Sequence, residues 1–239
     1  MTLLATLVAP QASWATSAPG GADASATTRL TAAQLRPHIV QKPIPFPQKR
    51  KDQMAAYSMR HYGVSSFLLT DPHVVVEHFT TSNSMQAAWN YFAANEPNLG
   101  QLPGVCSHFI IDRDGTIYQL VPLSIRCRHA VGLNDSAFGI EDVGTSDRHI
   151  LNNPAMMRAS LSLTLWLMAE YHIQVRDVIG HSESIYSPYH HELVRRLRCQ
   201  THSDWNRADM RIYRGKLRAL ARAAGVPIGP PPAWVHPHC

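Results

Sequence analysis

Apolar positions fall along this chain in two rhythms. Short β-branched or apolar runs recur at residues 74–76, 108–111, 116–121, 138–143 and 175–179, each bounded by polar or turn residues, as buried strands are. Other segments space their apolar residues three and four apart, the helical period. The first of these, 49–60, carries Met54, Tyr57 and Met59 among polar residues and stops near Gly63. Asn83 or Ser82 can cap a second, with Met85, Ala88, Trp89 and Phe92 on one face. Asn153-Pro154 supplies a cap followed by proline at the first helical position, opening a helix to about His172 with Met157, Leu161, Leu165 and Met168 as its buried stripe. Ser187-Pro188 opens a further helix through Arg198, and residues 209–224 read as a last one. Between two of the strands, Asp112-Arg113-Asp114-Gly115 is a hairpin signal. Strands alternating with helices predict a single α/β domain with a central mixed β-sheet flanked by helices.

The ends of the chain read differently. Thr2 to Ala9 resemble the apolar region of a signal peptide, Ser13-Trp14-Ala15 offers small residues at cleavage positions, and residues 16–28 form an Ala/Ser/Gly/Thr-rich linker. The apolar run is far shorter than the ~20 residues a transmembrane helix needs, so no integral membrane segment is expected. Residues 29–70 form an extension with a short helix, entered through Pro43, Pro45 and Pro47. The domain proper spans 71–224, and 225–239 is a proline-rich tail that wraps or dangles.

A net charge of +5 suits anionic surfaces in general and selects none of them. Only 16% of residues are charged, with no basic arm or nucleic-acid-binding signature, so nucleic acid is not an expected partner. Cys106, Cys127, Cys199 and Cys239 fit an exported protein in which disulfides persist, with three pairings possible. No C-x-x-C is present, which argues against a cysteine-only zinc site.

Histidine, at 14 copies, changes the picture most. His78 closes the Val74–Glu77 run and His181 closes Val178-Ile179-Gly180, and each is followed by a polar loop. Strand ends of an open α/β sheet are where such folds build sites, and two imidazoles held there can converge on one ion. Glu141, on the strand 138–143, can act as a general base beside it. His108 lies within an apolar run and reads as structural, and Trp89 and Trp166 read as core.

Four blocks in order then carry a resemblance. They are Val74–Thr80 around His78, Ser107–Gln119 with Asp-Arg-Asp-Gly115, His129–Glu141 with Asn134 and Ser136, and Val178–Glu183 around His181. Together they resemble the type-2 N-acetylmuramoyl-L-alanine amidase domain, shared by bacterial amidases, phage lysozyme-like amidases and peptidoglycan-recognition proteins. The resemblance runs from about Val74 to about Trp205. It implies a mixed sheet, one zinc in a groove that binds muropeptide, His78 and His181 as ligands, and Glu141 handling the proton of the attacking water. It further implies hydrolysis of the bond between the lactyl group of N-acetylmuramic acid and L-alanine, outside the cytoplasm. His129 and Asn134 match groove positions and are expected to contact substrate.

The third ligand departs from the pattern. The family supplies Asp or Cys about ten residues past the second histidine, where this chain has His191 within Tyr189-His190-His191-Glu192. Thr201-His202-Ser203-Asp204-Trp205 resembles the family's string with histidine replacing lysine, so 187–198 reads as an inserted helix that postpones the ligand. Asp204 is preferred to His191 because it keeps the ligand together with a cation, His202, two residues before it to steady an oxyanion. Cys199 is a weaker candidate, equally explained by a disulfide. The competing expectation is a peptidoglycan-recognition module with the groove and no catalysis. A different zinc peptidase is disfavoured, since there is no H-E-x-x-H helix.

Overall fold

The structure is a computed structural model and describes residues 29–237. The signal-like segment and Cys239 therefore lie outside the described residues. One six-stranded mixed sheet organises the chain: β1 (Val40–Gln41), β2 (Val74–Phe79), β3 (Phe109–Ile111), β4 (Ile117–Gln119), β5 (Ala137–Asp142) and β6 (Val178–Gly180), in the order β1-β4-β3-β5-β2-β6. Only the β3–β4 pair is antiparallel, closed by the expected turn in which Gly115 takes φ 88° and its N–H donates to the Asp112 carbonyl. The other neighbours are parallel, so β5, β2 and β6 end side by side at one edge of the domain.

Strand periodicity divides the sheet into two faces. Val75, Phe138 and Ile140 face the larger core, packed beneath α5 (Pro154–Tyr171) and α6 (Arg207–Ala223). Val74, Val76 and Ala137 face the other way, against Ala130, Leu133 and Ile179. A third cluster seats α3 (Met85–Ala94) through Ala88 and Phe92 against Ile110, Leu120 and Val143, beside the Cys106–Cys127 disulfide. Two short helices, α1 (Ala32–Leu35) and α4 (Asp147–Leu151), close the ends of the larger core.

Several local expectations hold with adjusted bounds. The extension's helix is α2 (Gln48–Tyr62), ended by Gly63 at φ 76°. Its buried face is Met54, Tyr57, Ser58 and His61, whereas Met59 is 55% exposed. The cap of α3 is Ser84 rather than Ser82 or Asn83, its hydroxyl accepting from the Ala87 N–H. Asn153 caps α5 as expected, but this helix is buried on more than one stripe, with Leu163, Thr164 and Leu167 inside as well, because α1, α6 and the sheet all pack on it. Trp166 is core, and Trp89 is partly buried with its indole donating to the Lys42 carbonyl. The strand expected at 175–179 is shortened to β6 by a 3-10 turn over Val175–Asp177.

The helix expected over 187–198 does not form. That stretch is irregular apart from a 3-10 turn at Arg195–Leu197. Its backbone groups are taken by distant partners: His191 N–H donates to the Gly132 carbonyl and Leu193 N–H to the His61 carbonyl. Glu192 turns inward to His61 Nδ1 at 2.7 Å, both side chains fully buried. Helical i−4 bonds lose to these tertiary ones. The tail wraps: Val235 N–H donates to the Tyr186 carbonyl, and the Trp234 ring lies under the Arg207 guanidinium at 4.9 Å.

Candidate active site

The site lies where β2, β5 and β6 end. Register alone brings its first three members together: His78 sits opposite Glu141, and Glu77 opposite Gly180, which places His181 one step beyond the strand and beside His78. Period two puts both His78 and Glu141 on the face away from α5, while Glu77 points back to accept hydrogen bonds from Thr164 and Tyr213.

Asp204 arrives from far along the chain, and a dedicated brace holds it. The Asp147 carboxylate accepts from the backbone N–H of Trp205 and of Asn206 at 2.8 and 2.9 Å. Ser182 N–H donates to the Asp204 carbonyl, and the Trp205 indole donates to the His78 carbonyl at 3.2 Å. Trp205 itself is fully buried and takes φ 53°, a left-handed conformation held by these bonds. Nothing local in the sequence marks Asp147 or Trp205 as supports, because their partners lie 58 and 127 residues away.

His78, His181 and Asp204 form the metal-competent group among the described residues, with one candidate ligand atom from each lying within 4.8 Å of the others. His78 Nδ1 is 3.2 Å from one Asp204 oxygen and His181 Nδ1 3.5 Å from the other. Burial, with His181 beside it, pulls the His78 pKa down to about 4, leaving the neutral imidazole a metal requires. Burial alone would raise the Asp204 pKa, but the facing His181 and His78 nitrogens outweigh it and hold the carboxylate well below its usual range. Two imidazoles and one carboxylate, all buried, suit a zinc site with three protein ligands. His191 is exposed and stands outside this group. Cys199 is also outside it, and no cysteine is free among the described residues.

Glu141 lines the same cleft, and burial first, then the Asp204 charge, raise its pKa well above the ordinary carboxylate value. The His202 ring lies over that of His181, centroids 4.7 Å apart. Partial burial, then His181, lower its pKa, so near neutral pH it is an uncharged imidazole rather than the cation expected from the sequence.

Asn134 lines the cleft with His129. It is 1% exposed; its oxygen accepts from the His129 and Ala130 N–H groups, and its amide donates to Tyr57 and Tyr62 of α2. His129 reaches the cleft, but its Nδ1 lies 3.1 Å from His78 Nε2. His108 is structural, with Nδ1 accepting from Gly139 N–H and Nε2 donating to the Ile125 carbonyl, both at 3.0 Å.

The cleft leading away from this cluster measures about 530 Å³, in the range of small-molecule sites. Its lining includes the apolar side chains of Tyr91, Leu99 and Val131.

The sequence profile of the N-acetylmuramoyl-L-alanine amidases matches residues 69–206, more than half of the 239 residues. This chain belongs to that family. Among solved structures it is similar to the N-acetylmuramoyl-L-alanine amidase LysC from Clostridium intestinale URNW, 26% identical, covering 61% of this chain and 83% of that one at a TM-score of 0.44. It is also similar to the E. coli N-acetylmuramyl-L-alanine amidase AmiD in complex with its substrate, at 22% identity, 48% and 50% coverage and a TM-score of 0.38. A third similar structure is Apis mellifera PGRP-SA, at 23% identity, 47% and 73% coverage and a TM-score of 0.38. No curated protein matches. The family match leaves out α2 and α6, so the Tyr57 and Tyr62 hydroxyls that hold Asn134 come from a part of the chain the profile does not cover. No helix among the described residues is long and apolar enough to cross a membrane.

Proposed function

We propose that this family member is a zinc-dependent N-acetylmuramoyl-L-alanine amidase, hydrolysing the amide between the lactyl group of N-acetylmuramic acid and L-alanine in peptidoglycan outside the cytoplasm. The observation that carries this reading is the convergence of His78, His181 and Asp204 within 4.8 Å at the end of a cleft that Glu141 also lines. These three residues would hold zinc, which would supply Lewis acidity to polarise a carbonyl and lower the pKa of water.

The chain's own groups then divide the work. Glu141, with its raised proton affinity, takes a proton from the attacking water and returns it to the leaving amine nitrogen. His202 donates a ring N–H to the negative charge that develops on the carbonyl oxygen; being neutral, it does so more weakly than a lysine ammonium. Asn134 acts by position, holding the loop that carries His129. Tyr91 and Leu99, which line the cleft, offer apolar surface to substrate groups outside the scissile amide.

The test is release of stem peptides from purified peptidoglycan, with zinc content measured on each protein. Wild type should free L-alanine amino termini, Asp204→Ala should lose both zinc and activity, and His191→Ala should keep both. Glu141→Gln should keep zinc and lose ~10²–10⁴ in turnover. A wild-type chain that binds zinc and peptidoglycan but releases nothing is a recognition module, and the catalytic roles fall.

A further inference from the structure

We infer that His129 is a positioning residue for the metal centre, setting the tautomer and orientation of the His78 ring, and this inference rests on the zinc reading above. The argument starts at a carbonyl. His129 Nε2 lies 3.3 Å from the Ala137 carbonyl oxygen, which can only accept, so Nε2 carries the ring proton. A ring that carries its single proton on Nε2 has a bare Nδ1. That Nδ1 is the atom 3.1 Å from His78 Nε2, so it accepts the His78 Nε2–H. His78 is left with its lone pair on Nδ1, the nitrogen facing Asp204 at 3.2 Å. Two hydrogen bonds in series thus convert a β-strand carbonyl into an instruction about which His78 nitrogen is free to bind a cation.

The backbone is shaped for this contact. A Cβ at Gly139 would lie 2.7 Å from His129 Cγ, so the ring reaches its place only over a bare glycine. Gly139 in turn is held by its N–H to His108 Nδ1. Among the described residues no group hydrogen-bonds the buried His181 Nε2 in the same way.

The experiment measures zinc affinity of the full chain by competition with a chromophoric chelator. His129→Leu removes the acceptor and should weaken zinc binding about 10–100-fold, the range for losing an outer partner of a ligating histidine. His129→Asn places an amide oxygen near the lost Nδ1 and should recover most of that loss. Gly139→Ala, which displaces the ring without altering its chemistry, should also weaken binding. Nitrogen-15 NMR of the zinc-loaded wild type reads the rings directly and should find the protons of His78 and His129 on Nε2; it stands even if a variant does not fold. Equal zinc affinity in wild type and His129→Leu, failure of His129→Asn to recover more than His129→Leu, or a His78 proton on Nδ1 overturns the inference. A wild-type chain that takes up no zinc removes the metal reading and this inference together.

Discussion

Replacing Gly180 by alanine adds a single methyl group and should disable the site without touching any of its functional groups. Gly180 ends β6 with φ −83°, a conformation alanine adopts freely, so backbone strain is not the issue. Space is. The new Cβ would fall inside the van der Waals envelope of the Trp205 carbonyl oxygen, 2.6 Å from Trp205 Cβ and 2.8 Å from its carbonyl carbon. These are backbone and first side-chain atoms of a fully buried residue, so no rotamer change relieves the clash. Restoring carbon contacts of about 3.5 Å needs a shift of about 1 Å in the segment carrying Asp204. Overpacking of this kind costs about 1–3 kcal/mol, a fall in Tm of roughly 2–12 °C for a chain of this size. Because Asp204 moves with Trp205, zinc affinity should fall about 10–100-fold as well. The assays are thermal unfolding without zinc and chelator competition with it. Gly215→Ala serves as the control: nothing lies within 4 Å of a Cβ there, mid-way along α6, and the same substitution should stabilise by up to about 1 kcal/mol. If Gly180→Ala binds zinc as wild type does, the coupling between β6 packing and the Asp204 position is wrong.

Two further outcomes follow from buried polar groups. His108 is buried with its pKa lowered to about 4, so the unfolded chain binds a proton there between about pH 6.5 and 4 that the folded chain does not. Its contribution to stability is present above pH 6.5 and lost as pH falls through 4. The stability gap between wild type and His108→Asn should narrow by about 3 kcal/mol over that range in zinc-free urea unfolding, and a gap independent of pH would refute this. Arg214 makes bidentate hydrogen bonds of 2.6 and 3.0 Å to Glu183, both side chains being almost fully buried. Arg214→Met leaves the buried Glu183 carboxylate with the Gly180 N–H at 3.2 Å and the more distant Arg207 at 3.8 Å, and should cost about 3–5 kcal/mol in urea unfolding; a loss below about 1 kcal/mol would show that these partners or water suffice.

By itself the sequence determined most of the elements and which residues to look for at the site. Val74–Val76, the Asp-Arg-Asp-Gly turn and the Asn153-Pro154 cap are local signals, and local signals are what short-range backbone preference reads. The grouping of His78, His181 and Asp204, and the place of Glu141 on its strand, were expected in the same way, from position relative to apolar runs and from ordered blocks. The tertiary structure decided what depended on partners far along the chain. It turned 187–198 from a helix into an irregular strap, because Gly132 and His61 capture its backbone N–H groups and His61 captures the Glu192 side chain. Asn134 became a buried clamp and His129 a neighbour of His78, since the residues they meet lie on α2 and β2. His202 lost the charge its place in the sequence suggested, because burial and the His181 ring disfavour protonation. Identity and spacing travel with the chain, whereas burial, tautomer and charge state belong to whatever the fold places alongside.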